Sequence, residues 1–207
     1  MNPPQGMVYI VDDDPDMRKA LARLCHSSSG LTTRIFESAR EFLEAGVTDS
    51  PACLVLDVRM PGLSGLDLQT ELAKRDIRTP IVFITGHGSI PTSVRAMKAG
   101  AVDFLTKPFR NQDVLGVIRT ALGKDAAQKE AHAEREAIRK RLNTLTPRER
   151  QVFDIVIQGL LSKQIAGELG TSDQTIKVHR GRIMHKMQVD SVAELVQLAM
   201  KAGAMKL

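Results

Sequence analysis

Carboxylates close two short apolar runs near the N-terminus: Asp12, Asp13 and Asp14 follow Met7–Val11, and Asp57 follows Cys53–Leu56. A third run, Ile81–Ile84, ends at Thr85, and a fourth, Ala101–Leu105, leads through Thr106 to Lys107-Pro108. If these runs are neighbouring parallel strands, all of these groups open at one edge of one sheet, the carboxyl edge, where open α/β sheets bind their ligands. Acids, a hydroxyl and a lysine together suit a hard divalent cation and a phosphoryl group. Mg2+ prefers oxygen ligands in octahedral geometry and keeps several waters. Asp13 and Asp57 could each give it one oxygen, and Asp12 could hold a coordinated water. Asp57 could also act as a nucleophile through its free oxygen. Phosphoryl transfer needs mainly positioning and neutralisation of the equatorial oxygens, which Mg2+, Lys107 and the Thr85 hydroxyl would supply from three sides. Lys107-Pro108 is a candidate for a cis peptide. Asp14 reads as a helix cap with Pro15 at the first helical position, and Asp16 as a first-turn partner of the helix dipole.

The elements that must position these groups alternate strand and helix up to about residue 123. Met7–Val11, Thr32–Phe36, Cys53–Leu56, Ile81–Ile84 and Ala101–Leu105 read as strands. Asp14/Pro15–Ser28, Ala39–Ala45, Ser64–Lys74, Pro91–Ala99 and a segment starting near Asn111 read as helices. The strands are short and apolar, as expected when helices cover both faces. Five β-α units in this length predict a doubly wound, five-stranded parallel sheet of the flavodoxin-like kind. The stretch 124–142 changes character: it is rich in Ala, Glu, Lys and Arg, without Gly or Pro, and reads as a charged continuation of the fifth helix, either a solvated linker or a dimerising or signalling helix. Ala131, Ile138 and Leu145 stand at heptad spacing, too short a seam for a coiled coil. The predicted organisation is therefore 1–123, a helical linker 124–142, and an all-helical module 143–207.

That module starts at Thr146-Pro147-Arg148-Glu149, a capping sequence with Pro in the first turn. Gln151–Gln158, Ser162–Leu169, Gln174–Met187 and Ser191–Lys201 read as four helices, the third capped by Ser172 or Asp173. Ser162–Leu169 and the following helix, joined by a turn carrying Gly170, fit a helix-turn-helix. Ile165, Ala166 and Leu169 would pack against Ile176, Ile183 and Met187. Gln174, Lys177, Val178, Arg180, Gly181 and Arg182 are left partly outward. Small and basic residues on an exposed face suit insertion into a DNA major groove, although a compact bundle with a solvated basic face has the same pattern.

Charge agrees with a polyanion partner for the C-terminal part. Residues 1–123 hold 14 basic and 14 acidic residues, 124–142 hold 6 and 4, and 143–207 hold 9 and 6, so all the excess positive charge lies in the last 84 residues. No apolar run reaches the roughly 18–20 residues needed to span a membrane. The start, MNPPQGMVYI, lacks a basic stretch followed by an apolar one, so no signal peptide is expected. Cys25 and Cys53 have no metal-type spacing and read as free buried thiols of a reducing cytoplasm.

IVDDDPDMR, LVLDVRMPGLSG, VFITGHG and MKAGAVDFLTKPF, spread over residues 7–123, resemble the receiver domain of two-component response regulators. The resemblance implies that Asp57 is the phosphoacceptor, charged by a sensor histidine kinase. It implies that Asp12 and Asp13 form the acid pocket, with the Arg59 backbone carbonyl as a further Mg2+ ligand. Thr85 and Phe104 would be the switch pair. Relatives often carry Tyr where Phe104 stands, so a readout through that hydroxyl is absent here. Arg59 and His87 stand where the family tunes phosphoryl lifetime. Residues 143–203 resemble the LuxR-type four-helix DNA-binding domain, and the whole chain looks like a FixJ/NarL-type transcriptional regulator. This second resemblance makes Gln174–Met187 the recognition helix. Lys177, Val178 and position 181 would face base edges of double-stranded DNA, Gly181 offering no side chain. Thr175, Lys163, His179, Arg180 and Arg182 are candidates for phosphate contacts, which orient without specifying. His179 could equally be packed beside the scaffold helix. Ser191–Lys201 is the helix by which relatives dimerise. The resemblance further implies a cytoplasmic regulator that dimerises on phosphorylation, works with RNA polymerase and turns over no external substrate.

Two other readings compete. Asp12-x-Asp14 after a strand, with Thr85 and Lys107, mimics a Mg2+-dependent phosphohydrolase of the haloacid dehalogenase type, with Asp12 as nucleophile and Asp14 as general acid. It leaves Asp57 and residues 143–207 without a role. Alternatively, the C-terminal module binds protein rather than DNA.

Overall fold

The computed structural model describes residues 6–86 and 89–205; His87 and the first five residues lie outside the described part. The chain divides into two compact units between Lys129 and Glu130.

In the first unit, β1 (Met7–Val11), β2 (Thr32–Phe36), β3 (Ala52–Asp57), β4 (Ile81–Thr85) and β5 (Asp103–Thr106) form one sheet in the order β2-β1-β3-β4-β5. Every pairing is parallel. Strand side chains alternate between two apolar layers, as period-two geometry requires. Tyr9, Val11, Leu54, Leu56 and Phe83 share one layer with Phe42 of α2 (Ala39–Ala45), Leu68 and Leu72 of α3 (Gly65–Lys74) and Ala96 of α4 (Ile90–Lys98). Val8, Ile10, Cys53, Val55, Val82 and Ile84 share the other with Leu21 and Cys25 of α1 (Pro15–Ser29) and Val114 and Ile118 of α5 (Asn111–Leu142). Both cysteines are free and buried, and burial raises the Cys25 thiol to about 11. They pack as small hydrophobes rather than as reactive thiols.

The expected elements are all present, and their ends carry the differences. The fifth strand starts at Asp103 rather than Ala101. Ala101 N–H is taken by the Ala96 carbonyl, and Gly100 has a left-handed φ of 93°, so these residues close α4 before the strand begins. Asp57 and Thr85 are the last residues of their strands rather than the first residues beyond them. Helix α5 runs without a break through the charged linker.

The second unit contains α6 (Pro147–Val156), α7 (Ser162–Glu168), α8 (Asp173–Met187) and α9 (Val192–Lys201), with the end of α5. Ile138, Val152, Phe153, Ile165, Ile176, Ile183, Met187, Leu195 and Ala199 build one core. Ile138, from the heptad-spaced set, is thus spent inside this core. Ser172, not Asp173, caps α8, through a bond from Thr175 N–H.

The capping box at α6 has a second use. Glu149 is buried; its Oε2 accepts from Thr146 N–H at 2.8 Å and from Lys186 Nζ of α8 at 2.6 Å. The hydrogen bond from Lys186, then that from Thr146, lowers its carboxyl from 4.5 to about 2. A depressed folded-state value means stability that is present above the ordinary carboxylate range and lost as pH falls toward 2. Discounted for the 31% exposure of the Lys186 side chain, the link contributes about 1–2 kcal/mol. Glu149→Gln is therefore expected to destabilise this unit by that amount at pH 7 and to flatten its stability between pH 5 and 2. Denaturation of both chains against pH, with amide exchange in α6–α8 to localise the loss, checks it; an unchanged acid limb sinks the assignment.

Candidate functional site

The sheet brings the predicted groups together at its carboxyl edge. Val11 pairs with Leu56 across β1 and β3, and Asp57 with Ile84 across β3 and β4, so Asp12, Asp57 and Thr85 stand side by side. Thr85 is paired with Thr106 on β5, one residue before Lys107. The Lys107 N–H donates to the Thr85 carbonyl at 2.8 Å, and the Lys107-Pro108 peptide is cis.

From there Lys107 Nζ reaches Asp12 Oδ2 at 2.8 Å and Asp57 Oδ1 at 3.3 Å. Asp12 and Asp57 are both buried, as is Thr85. Their remaining oxygens are also held: Asp12 Oδ1 accepts from Asp14 N–H at 2.9 Å and Asp57 Oδ2 from Arg59 N–H at 2.7 Å. Arg18 of α1, which sequence reading passed over, fixes the Asp12 carbonyl at 2.6 Å. Asp13 is exposed beside this pair, and Asp14 caps α1 by accepting from Asp16 and Met17 N–H, its expected place.

Burial pushes the Asp57 carboxyl above its ordinary value; Lys107 and the Arg59 N–H pull it back, and Asp12 pushes it up again. Burial alone would lower Lys107, but its hydrogen bond and charge interaction with Asp12, then those with Asp57, carry it above its usual value. Two or three carboxylates facing one ammonium leave the edge net negative, which favours a cation. Among the described residues no group of three His, Cys, Asp or Glu side chains converges at metal-binding range. The donors at this edge are all oxygens, the carboxylates of Asp12 and Asp57 with Asp13 beside them, a set that suits a hard divalent cation such as Mg2+.

Phe104 is half-buried beside Phe83, ring centroids 6.0 Å apart, on the face of β5 that also carries Thr106. Gly65, the first residue of α3, was not singled out by sequence. A Cβ there would lie 2.2 Å from the Asp57 carbonyl oxygen, so α3 seats directly on the strand end that carries the site.

In the second unit, Gln174, Lys177, Val178, Gly181, Arg182 and His185 are all exposed, a spacing that forms one face of α8. Ile176, Ile183 and Met187 are buried on the opposite face. Lys177 forms an exposed ion pair with Asp173 at 2.7 Å. Thr175 and Lys163 are exposed. Arg180 turns aside: its Nη1 donates to Ser162 Oγ of α7 at 3.0 Å. His179 is half-buried, and its Nδ1 is enclosed without a partner, so the ring is partly packed against the scaffold. His185 extends the exposed face by one turn and was missed because it lies beyond the stretch of small and basic residues. No described helix is long and apolar enough to cross a membrane.

The profile of the response regulator receiver domain matches residues 8–119, and that of bacterial regulatory proteins of the luxR family matches residues 143–199. The chain belongs to the two-component response regulators with a LuxR-type DNA-binding domain. The regulator is 48% identical over 199 residues to nodulation protein W of Bradyrhizobium diazoefficiens, covering 96% of this chain and 87% of that protein. It is 44% identical to transcriptional regulatory protein FixJ of Azorhizobium caulinodans, covering 95% and 92%. Among solved structures it resembles response regulator StyR, with 46% identity, 95% and 99% coverage and a TM-score of 0.87. The family acts as transcriptional response regulators, not turnover enzymes, so the phosphohydrolase reading falls. The LuxR-type match identifies the C-terminal module as DNA-binding rather than protein-binding.

Proposed function

We propose that the regulator is a cytoplasmic, phosphorylation-gated transcription factor: a sensor histidine kinase charges Asp57, the regulator dimerises, and the dimer controls transcription together with RNA polymerase. The observation that carries this reading is Lys107 bridging Asp12 and Asp57, residues 95 and 50 positions away, at the carboxyl edge of the sheet. Asp12, Asp13, Asp57 and the Arg59 carbonyl would hold Mg2+. Bound there, the cation neutralises phosphoryl oxygens and the acid cluster. An Asp57 carboxylate oxygen attacks phosphorus, the bond from phosphorus to the donor breaks, and the donor leaves with the electron pair. Lys107, already tethered through its backbone to Thr85, takes one phosphoryl oxygen, and the Thr85 hydroxyl another.

The shift of Thr85 is read by Phe104, which turns inward behind it against Phe83. The surface that responds is the α4–β5 face, where Ile90, Val94 and Met97 stand exposed one turn apart. These apolar residues support receiver dimerisation. Two states a few kcal/mol apart, biased by local charge, suffice for such a switch.

On DNA, Lys177 and Val178 read base edges; Thr175, Lys163 and Arg182 contact phosphates, with His179 and Arg180 beside them. Lys177→Ala is expected to weaken a specific site by about 1–3 kcal/mol. An equal loss on random DNA would make Lys177 a phosphate contact instead. The test of the whole reading is incubation with a small phosphodonor and Mg2+, mapping of the labelled residue, and light scattering. Label on Asp57 with a doubling of mass is expected; label on another residue, or an unchanged mass, overturns it.

A further inference from the structure

From the structure we infer that Asp125 and Lys129 form a clasp tying the linker segment of α5 to the strand that carries Asp57, and that the DNA-binding response depends on it. The inference rests on Asp57 being the phosphoacceptor.

Helix α5 is anchored by buried apolar residues up to Leu122, and again by Ile138 and Leu142 in the C-terminal core. Over residues 123–137 one side chain is buried, and it is charged: Asp125, 3% exposed. A helix that served only as a solvated tether would need no buried carboxylate, since burying a charge is costly unless it is paired and hydrogen-bonded.

Asp125 is paired on both counts. Its Oδ2 accepts from the Ala52 N–H at 2.7 Å and faces Lys129 Nζ, one helical turn on, at 2.9 Å. Lys129 Nζ in turn donates to the Ser50 carbonyl at 2.6 Å and the Thr48 carbonyl at 3.3 Å. One turn of helix therefore satisfies three backbone groups in the segment leading into β3.

Ala52 is the first residue of β3, and the pairing of β3 with β4 begins only at Leu54. At the level of Ala52, β4 offers no ladder partner, and Asp125 takes its place. The strand held here at its first residue ends at Asp57. Both ends of β3 are thus engaged, one by the phosphoryl chemistry and one by the linker. On a neighbouring side of the same turns, Lys124 and Gln128 line an open cavity of about 430 Å3 with Thr79 and Ala101. That side of the segment is open, and the polar clasp is its buried fastening. The chain divides into its two units just after Lys129.

The test uses the full chain, a small phosphodonor with Mg2+, and a DNA duplex that the wild-type chain selects from a random pool. Asp125→Ala should label on Asp57 at the wild-type rate. Its amides over 124–134 should exchange about tenfold faster, the scale set by losing a buried charge-assisted hydrogen bond. Its gain in DNA affinity on labelling should fall to within about twofold of none if the helix no longer follows β3. Asp125→Asn, which keeps an acceptor for Ala52, should recover part of both. Asp125→Ala with faster exchange but the full gain on labelling overturns the inference, because the clasp is then only structural; unchanged exchange overturns it too. If Asp125→Ala does not fold, Lys129→Gln decides on the same readouts. A wild-type chain that does not label on Asp57 overturns the reading beneath it; a wild-type chain that labels and responds, beside an Asp125→Ala variant that responds equally, overturns the clasp alone.

Discussion

Asp57→Asn should abolish labelling by a small phosphodonor with Mg2+ while leaving the fold intact. The amide keeps the shape of the side chain and an oxygen for the Arg59 N–H, which Asp57 Oδ2 accepts at 2.7 Å. What it loses is the anionic nucleophile, without which no phosphoryl bond forms. Burial, the largest influence on this carboxyl, raises it. The fold therefore favours the protonated form, and stability falls as pH rises through the raised value. A neutral amide escapes that loss, so the variant should be at least as stable as the wild type at pH 7 in the absence of a divalent cation. Intact-mass measurement after phosphodonor treatment, beside a denaturation curve, checks both parts. Undiminished labelling of a well-folded variant would refute the phosphoacceptor assignment.

The second large effect is expected at a residue with no side chain. Gly65→Ala places a Cβ 2.2 Å from the Asp57 carbonyl oxygen and 3.1 Å from both the Asp57 carbonyl carbon and Leu56 Cγ. The closest neighbour is backbone, so no rotamer change relieves the contact. Either α3 lifts off the sheet, breaking the Gly65 N–H bond to the Val58 carbonyl at 3.1 Å, or the end of β3 is displaced. Overpacking of this kind costs about 1–3 kcal/mol. Displacing a reacting group by an ångström can cost roughly a hundredfold in rate. The variant should therefore lose stability and label far more slowly, and the two losses should appear together. Wild-type stability with wild-type labelling would show that the strand end tolerates the shift and that α3 does not set the position of Asp57.

These two positions differ in how they can be found. Asp57 was visible as an acid closing an apolar run, because strand periodicity and the neighbouring runs all act within a few residues. The same local signals marked Asp12, Thr85 and Lys107, the capping of α1 by Asp14, the capping box at Thr146 and the buried face of α8. Gly65 stood unremarked at the start of the predicted helix Ser64–Lys74; only the seating of α3 on β3 shows what a Cβ would meet. Glu149 was legible as a cap, but its partner Lys186 lies 37 residues on, and no local rule connects them. Asp125 and Lys129 read as two charges of a solvated linker. Their partners Ala52 and Ser50 lie 73 and 79 residues earlier. The start of β5 was misplaced because Ala101, the first residue of the apolar run, closes α4 through the Ala96 carbonyl, a choice made by that hydrogen bond rather than by hydrophobicity.

The sequence by itself therefore determined the alternation of strands and helices, the class of chemistry at one sheet edge and the helix-turn-helix, since each depends on periodicity, caps and residue types over short stretches. Only the tertiary structure decided which carboxylates share Lys107, which of the basic residues of α8 remain free to meet DNA, and where the linker helix is gripped. Those are long-range pairings, and they form only after burial has brought distant charges and backbone groups within hydrogen-bonding distance. The acids at the strand ends and Lys107 were readable as a site; the bridge that Lys107 makes between Asp12 and Asp57, and the clasp at the far end of the same strand, required the fold.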